Sequence, residues 1–142
     1  MANMAILQPV VALAAWTMVM WVWLYATRMP EMAKVDMARF AADPTLTLDH
    51  VLPAKVQWKA HNYNHLHEAP TVFYAVCLVL ALAGQGEGLA AKVAWAYVAL
   101  RVLHSLVQAT VNHIPTRFAV FMLSSLCLMA LIVMAARVVF GV

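Results

Sequence analysis

Four long apolar runs make up most of this chain, and each approaches the length needed to cross a bilayer. A hydrocarbon core about 30 Å thick takes roughly 20 helical residues per crossing, so four crossings use about 80 residues and leave short connections. A chain of 142 residues accommodates that sum. The expectation is an all-α integral membrane four-helix bundle, a single domain over 1–142, with helices at about 6–27, 61–84, 89–111 and 115–140 and a polar loop at 28–60.

Composition narrows the alternatives. With 65% hydrophobic and 11% charged residues, a water-soluble domain of this size has too little polar material to cover itself. The lipid bilayer is therefore the first partner. The net charge of +3 comes from nine Lys and Arg against six acids. This mild excess suits anionic lipid headgroups and forms no basic stripe, so no nucleic-acid partner is expected. Cys77 and Cys127 lie inside apolar runs as small hydrophobes, and neither a disulfide nor a redox compartment can be read from them. The N-terminus lacks the basic start and small-residue cleavage site of a secretory signal, so the first helix is expected in the mature chain.

In the first run Trp16, Trp21, Trp23 and Tyr25 gather toward Arg28 and Pro30, as aromatics do at a membrane interface. Between 28 and 60, Lys and Arg alternate with Asp and Glu, and Met32, Val35 and Phe40 among those charges predict a short helix on the membrane surface. The second run opens with the polar HNYNHLHEAP from His61 and is expected as one helix, kinked near Pro70. Gly84, Gly86 and Gly88 mark a tight turn, and Pro115 suits the first turn of the last helix. Lys and Arg concentrate in the first loop, with Arg117 beside His113 in the connection between the third and fourth helices. Both termini are therefore expected to face away from the cytoplasm.

Polar residues recur where lipid makes them costly. Arg101, His104, Ser105, Gln108 and Asn112 form one stripe on the third helix, and His61, Asn64, His65 and Glu68 form another on the second. Glu68 and Arg101 are opposite charges in apolar surroundings and are expected to pair. Hydrogen-bonding side chains also glue helices together, but an Arg, a Glu, several His and two amides exceed what packing needs and resemble the lining of a polar site. The spacing of His61, His65 and Glu68 is also open to a metal, a weak signal on which no metal is assigned.

At these stripes the sequence resembles the MAPEG family, the membrane-associated proteins in eicosanoid and glutathione metabolism. The resemblance covers nearly the whole chain and is carried by NYNHLHEAPTVFYAV from Asn62 and ALRVLHSLVQATVNHIPTRFAVFMLSS from Ala99, the second similar to the pattern of bacterial members. It implies a four-helix protomer in a bacterial inner membrane, a homotrimer, and glutathione as cosubstrate bound between neighbouring protomers toward the cytoplasm.

Position by position, the resemblance makes Glu68 the acid that holds the glutathione amino group, Arg101 and His104 the Arg and His of the third-helix motif, and Arg28 a carboxylate contact. Arg117 is then the residue that favours the thiolate. His61, Asn64, His65, Gln108 and His113 complete the candidate glutathione-binding set. Departures are present: His65 stands where many members have Asn, His61 and Asn64 where some have Arg, and Gln108 and Phe121 where several active enzymes have Tyr. The expected function is a membrane-embedded glutathione-dependent transferase or peroxidase acting on a hydrophobic electrophile. The alternative is a lipid-binding or scaffold protein of the same fold without chemistry. Gln108 and Phe121 favour the scaffold; Glu68, Arg101 and Arg117 favour the enzyme.

Overall fold

The computed structural model describes residues 4–142. Within them lie α1 (Leu7–Met32), α2 (Met37–Ala42), α3 (Leu48–Val51), α4 (Ala54–His65), α5 (Ala69–Leu82), α6 (Leu89–Thr110) and α7 (Ile114–Phe140). Among the described residues four stretches are long and apolar enough to cross a bilayer: α1, α4 with α5, α6, and α7. The all-α membrane architecture read from the sequence is the one formed.

Each long helix buries one narrow stripe. In α1 it is Pro9, Leu13, Thr17, Met20 and Leu24, and in α7 Val120, Ser124, Leu128, Leu131 and Ala135. Spacings of three and four put each set on one face. The outer faces are apolar and exposed, with Met18, Val22, Leu123, Leu126, Met129 and Val133 among them. Helices apolar on all sides are stable only where the surroundings are apolar too. Since lipid tails match leucine in polarity, association here relies on close approach of small residues. Ala90, Ala91, Ala94 and Ala109 of α6 are buried, and α6 lies against α7, α4 and α1. Phe73 of α5 stacks on Tyr97 of α6 with ring centroids 4.4 Å apart. Two buried hydroxyls are satisfied within their own helices, Thr17 Oγ1 donating to the Leu13 carbonyl at 2.9 Å and Ser124 Oγ to the Phe121 carbonyl at 2.8 Å.

Several boundaries differ from the sequence reading. α1 continues through Pro30 to Met32, because proline's φ suits a helix and only one amide is lost near the end. The stretch 28–60 is not a loop throughout: it holds α2, α3 and the first half of α4, which starts at Ala54 behind Pro53. Asp36 caps α2 by accepting from the Arg39 amide at 3.1 Å, a signal independent of hydropathy. No residue of α2 is buried, in keeping with a surface helix. The second crossing is two helices rather than one kinked helix. Pro70 lies in the first turn of α5, where it has no N–H to continue the ladder and its ring would strike the carbonyl of Leu66. α4 therefore stops at His65 and α5 restarts at Ala69.

Left-handed residues close the turns between crossings. Gly84 has φ +72° and Gln85 donates to the Leu80 carbonyl at 2.9 Å, a C-cap that a residue with a Cβ adopts reluctantly. At the end of α6 the same position is Asn112, with φ +51° and its amide 2.7 Å from the Val107 carbonyl. Asparagine is among the few side-chain-bearing residues at ease there.

Candidate functional site

The break between α4 and α5 faces the second half of α6 and the first turns of α7. A groove of about 380 Å³ opens there, lined by His65, Glu68, Arg101, His104, Ile114, Arg117, Phe118 and Phe121. Ile114, Phe118 and Phe121 share one face of α7 at spacings of four and three, with Arg117 beside them, so one helix supplies both an apolar wall and a cation.

Arg101 is 2% exposed, and its Nη2 donates to the main-chain oxygen of His65 at 3.2 Å. In an unbroken helix that oxygen would accept from the amide of residue 69; at the break it accepts instead from the Glu68 amide at 3.2 Å, and Arg101 adds a second donor from α6. Arg101 Nε and Nη1 are buried without a hydrogen-bond partner. The Phe121 ring lies 6.0 Å from the guanidinium carbon and 6.4 Å from the His104 ring. His104 meets His65 edge-on at 6.2 Å. Arg117 Nη1 donates to Asn112 Oδ1 at 2.6 Å, while its buried Nε has no partner. The arrangement presents two guanidinium groups with N–H to spare, two imidazoles, one carboxylate and an apolar wall in one opening.

The expected ion pair between Glu68 and Arg101 is not formed. Glu68 Oε2 lies 3.0 Å from His65 Nδ1 instead, with the Glu68 side chain 65% exposed. The physical reason is the break: Glu68 stands past the end of α4, so the stripe that placed it beside Arg101 does not extend to it.

The pattern of the MAPEG family matches residues 6–137, a span that contains every residue of the groove. The chain belongs to the MAPEG family. No curated protein and no solved structure matches it. MAPEG proteins are generally associated with glutathione, and membership agrees with an integral, multi-pass membrane protein.

In this MAPEG chain the remaining candidate residues lie outside the groove. Arg28 and His61 belong to a second polar system at the loop end. Arg28 Nη2 donates to Gln57 Oε1 at 3.0 Å, Gln57 Nε2 donates to Asp49 Oδ1 at 2.7 Å, and His61 Nε2 lies 2.9 Å from that same oxygen. The amide of Gln57, and to a lesser extent His61, holds the Asp49 carboxyl below the usual carboxylate range. Since His61 turns to Asp49 and His65 to Glu68, they are engaged separately rather than around one centre. Asn64 is exposed on α4, and Gln108 is buried inside the bundle. His113 precedes α7 with its Nδ1 2.8 Å from Thr116 Oγ1.

Ile114, Phe118, Gln57 and Asp49 belong to these systems and were not singled out as site residues in the sequence. The spacing of Ile114, Phe118 and Phe121 beside Arg117 is a signal for the apolar wall. Asn62 is completely buried beneath a segment that reads as polar and therefore exposed.

Proposed function

We propose that the protein is a membrane-embedded glutathione-dependent transferase or peroxidase acting on a hydrophobic electrophile. The observation that carries this reading is Arg101, a guanidinium 2% exposed at a groove wall whose Nη1 has no partner. A buried cation with free donors calls for an anion. Glutathione carries two carboxylates and an ammonium. Arg101 and Arg117 supply donors for the carboxylates and a developing thiolate, and the exposed carboxylate of Glu68 supplies an acceptor for the ammonium. The residues present fit the molecule.

A free thiol titrates near 8.5 and is only a few per cent ionised at neutral pH. Arg117 raises the ionised fraction by favouring the anion, and Asn112 holds Arg117 from the cap of α6. The thiol proton passes to solvent, and the sulfur lone pair forms the new bond to carbon while the displaced electron pair leaves with the electrophile's departing group. With a hydroperoxide, sulfur attacks the distal oxygen and the O–O bond breaks to leave the alcohol. A second glutathione then closes the disulfide, with water as the other product. The wall of Ile114, Phe118 and Phe121 gives a lipophilic reactant its way in from the bilayer.

The groove opens at the end of the bundle that carries the Lys- and Arg-rich loop, which we read as cytoplasmic, with both termini on the other side. His61, Asn64 and Glu68 are exposed on the second crossing. Polar side chains on an outer face are favoured where another protomer covers them, which supports a homotrimer with Arg28 and His61 reaching a neighbour's site.

The scaffold reading draws on Phe121, which presents to His104 and Arg101 a ring without a hydroxyl. Calorimetric titration of glutathione into the detergent-purified protein separates the two. The enzyme reading expects saturable heat that is lost in Arg101→Leu, and the scaffold reading expects none.

A further inference from the structure

α4 and α6 are tied at two points. Arg101 Nη2 donates to the His65 carbonyl at 3.2 Å, and Lys59 Nζ donates to the Ala109 carbonyl at 3.2 Å. The helices thus run antiparallel, and their register puts Asn62, midway between Lys59 and His65, abreast of Ser105, midway between Arg101 and Ala109. Asn62 and Ser105 are each 0% exposed, and Gln108, one turn along α6, is 2% exposed. Asn62 Nδ2 and Oδ1, Ser105 Oγ and Gln108 Oε1 are all buried without a hydrogen-bond partner.

Buried amides and hydroxyls in proteins are almost always satisfied. Because Asn62 and Ser105 are sealed within a single chain, neither lipid nor a neighbouring protomer can reach them. A small resident molecule is the partner that suits them. We propose that the α4–α6 interface is a binding site for ordered water, held by Asn62, Ser105 and Gln108 and extending to Arg101 Nε on the inner side of the groove. The donor and acceptor count suits it. A water molecule donates to Asn62 Oδ1 and Gln108 Oε1 and accepts from Asn62 Nδ2 and the Ser105 hydroxyl, within the two to four bonds typical of internal water. Arg101 Nε lies one turn from Ser105 and gains an oxygen acceptor from the same chain of water. The site then positions Arg101 from behind while the His65 carbonyl holds it in front. This inference stands without glutathione.

The experiment uses the full ¹⁵N-labelled chain in lipid bilayers with no glutathione added. Proton-detected solid-state NMR reads polarisation transfer from water to side-chain nitrogens, and the same signals are followed in deuterated solvent. In a companion sample labelled only at asparagine, the Asn62 amide is identified by its loss in Asn62→Leu, or by elimination with Asn3→Asp, Asn64→Asp and Asn112→Gly if that variant does not fold. Arg101 Nε is identified by its loss in Arg101→Lys. The expected result is water transfer to Asn62 Nδ2 and Arg101 Nε within milliseconds, although their deuterium exchange takes far longer than that of exposed Asn64. Ser105→Val, which fills the site with methyl groups, should weaken the transfer at Asn62 by about 2-fold or more, as one of the water's partners is removed. An Asn62 amide that receives nothing from water overturns the proposal. So does water transfer accompanied by deuterium exchange as fast as that of Asn64, which would mean open bulk access.

Discussion

Arg101 of α6 donates from Nη2 to the main-chain oxygen of His65 at 3.2 Å, so the guanidinium bridges to the last residue of α4 where the second crossing breaks. A side chain from one crossing thereby completes the backbone of another, a repair that broken helices in membranes require. Arg101→Leu should leave α5 and α7 intact but speed amide exchange at Glu68, which donates to that same oxygen. The increase should be about 10-fold, the value of one modest hydrogen bond. Unchanged exchange at 66–69 in Arg101→Leu would show that the contact does not hold the break.

Glu68 and Arg101 should be nearly independent in stability, since the Glu68 carboxylate is exposed and turned to His65. Glu68→Gln should cost less than about 1 kcal/mol, as exposed pairs do. Combined with Arg101→Leu, its effect should add to within about 0.5 kcal/mol. Reversible unfolding in mixed micles of lipid and detergent measures both, and a coupling well above that figure would place the two charges in contact.

Arg117→Ala should lower turnover with an aryl electrophile by roughly 10- to 1000-fold, the scale of removing one electrostatic donor, with a smaller change in glutathione affinity. Arg117→Lys should recover part of the loss, since a point charge still favours the anion. Asn112→Gly is the subtler test. Glycine keeps the φ of +51° at ease while removing the Oδ1 that holds Arg117. Helix content should be unchanged and the thiolate absorbance of bound glutathione reduced; equal absorbance in wild type and Asn112→Gly would assign Asn112 to the cap alone.

Asp49 ties the loop to the bundle, and its folded carboxyl lies below the usual range because Gln57 donates to it, with His61 contributing less. The linkage has one sign. A depressed folded pKa adds stability that is present above the unfolded value, near 3.9, and is lost as pH falls through the folded value. Gln57→Leu should raise the Asp49 pKa toward the ordinary range, so α3 should detach at a higher pH than in the wild type. A ¹³C carboxyl titration that is the same with and without Gln57 would contradict the hydrogen bond.

Much of the fold was legible because lipid imposes a simple length rule, and runs such as 115–140 satisfy it without ambiguity. The polar stripe of α6 was legible for a similar reason: Arg101, His104, Ser105 and Gln108 follow helical spacing, and all are buried. The second crossing misled because spacing arguments assume an unbroken helix. Pro70 ended that assumption, and with it the Glu68–Arg101 pair. α2 was expected from Met32, Val35 and Phe40 among charges, but hydropathy does not set where it starts, which the Asp36 cap fixes at Met37. Arg28 and His61 read as groove residues from resemblance, yet within one chain the exposed Asp49 carboxylate claims His61, and Arg28 is joined to it through Gln57.

The interruption at 66–68 also divides the second crossing mechanically. α5 is fastened by stacking on Tyr97 and by its contacts with α7 and α1, whereas α4 is harnessed to the loop through Gln57 and to α6 through Lys59. A rigid rod would carry any tilt of its loop end straight through the bilayer. Here the two halves are tied to different sets of neighbours, α4 to the loop, α1 and α6, and α5 to α1 and α7, and the discontinuity between them falls beside His65 and Arg101.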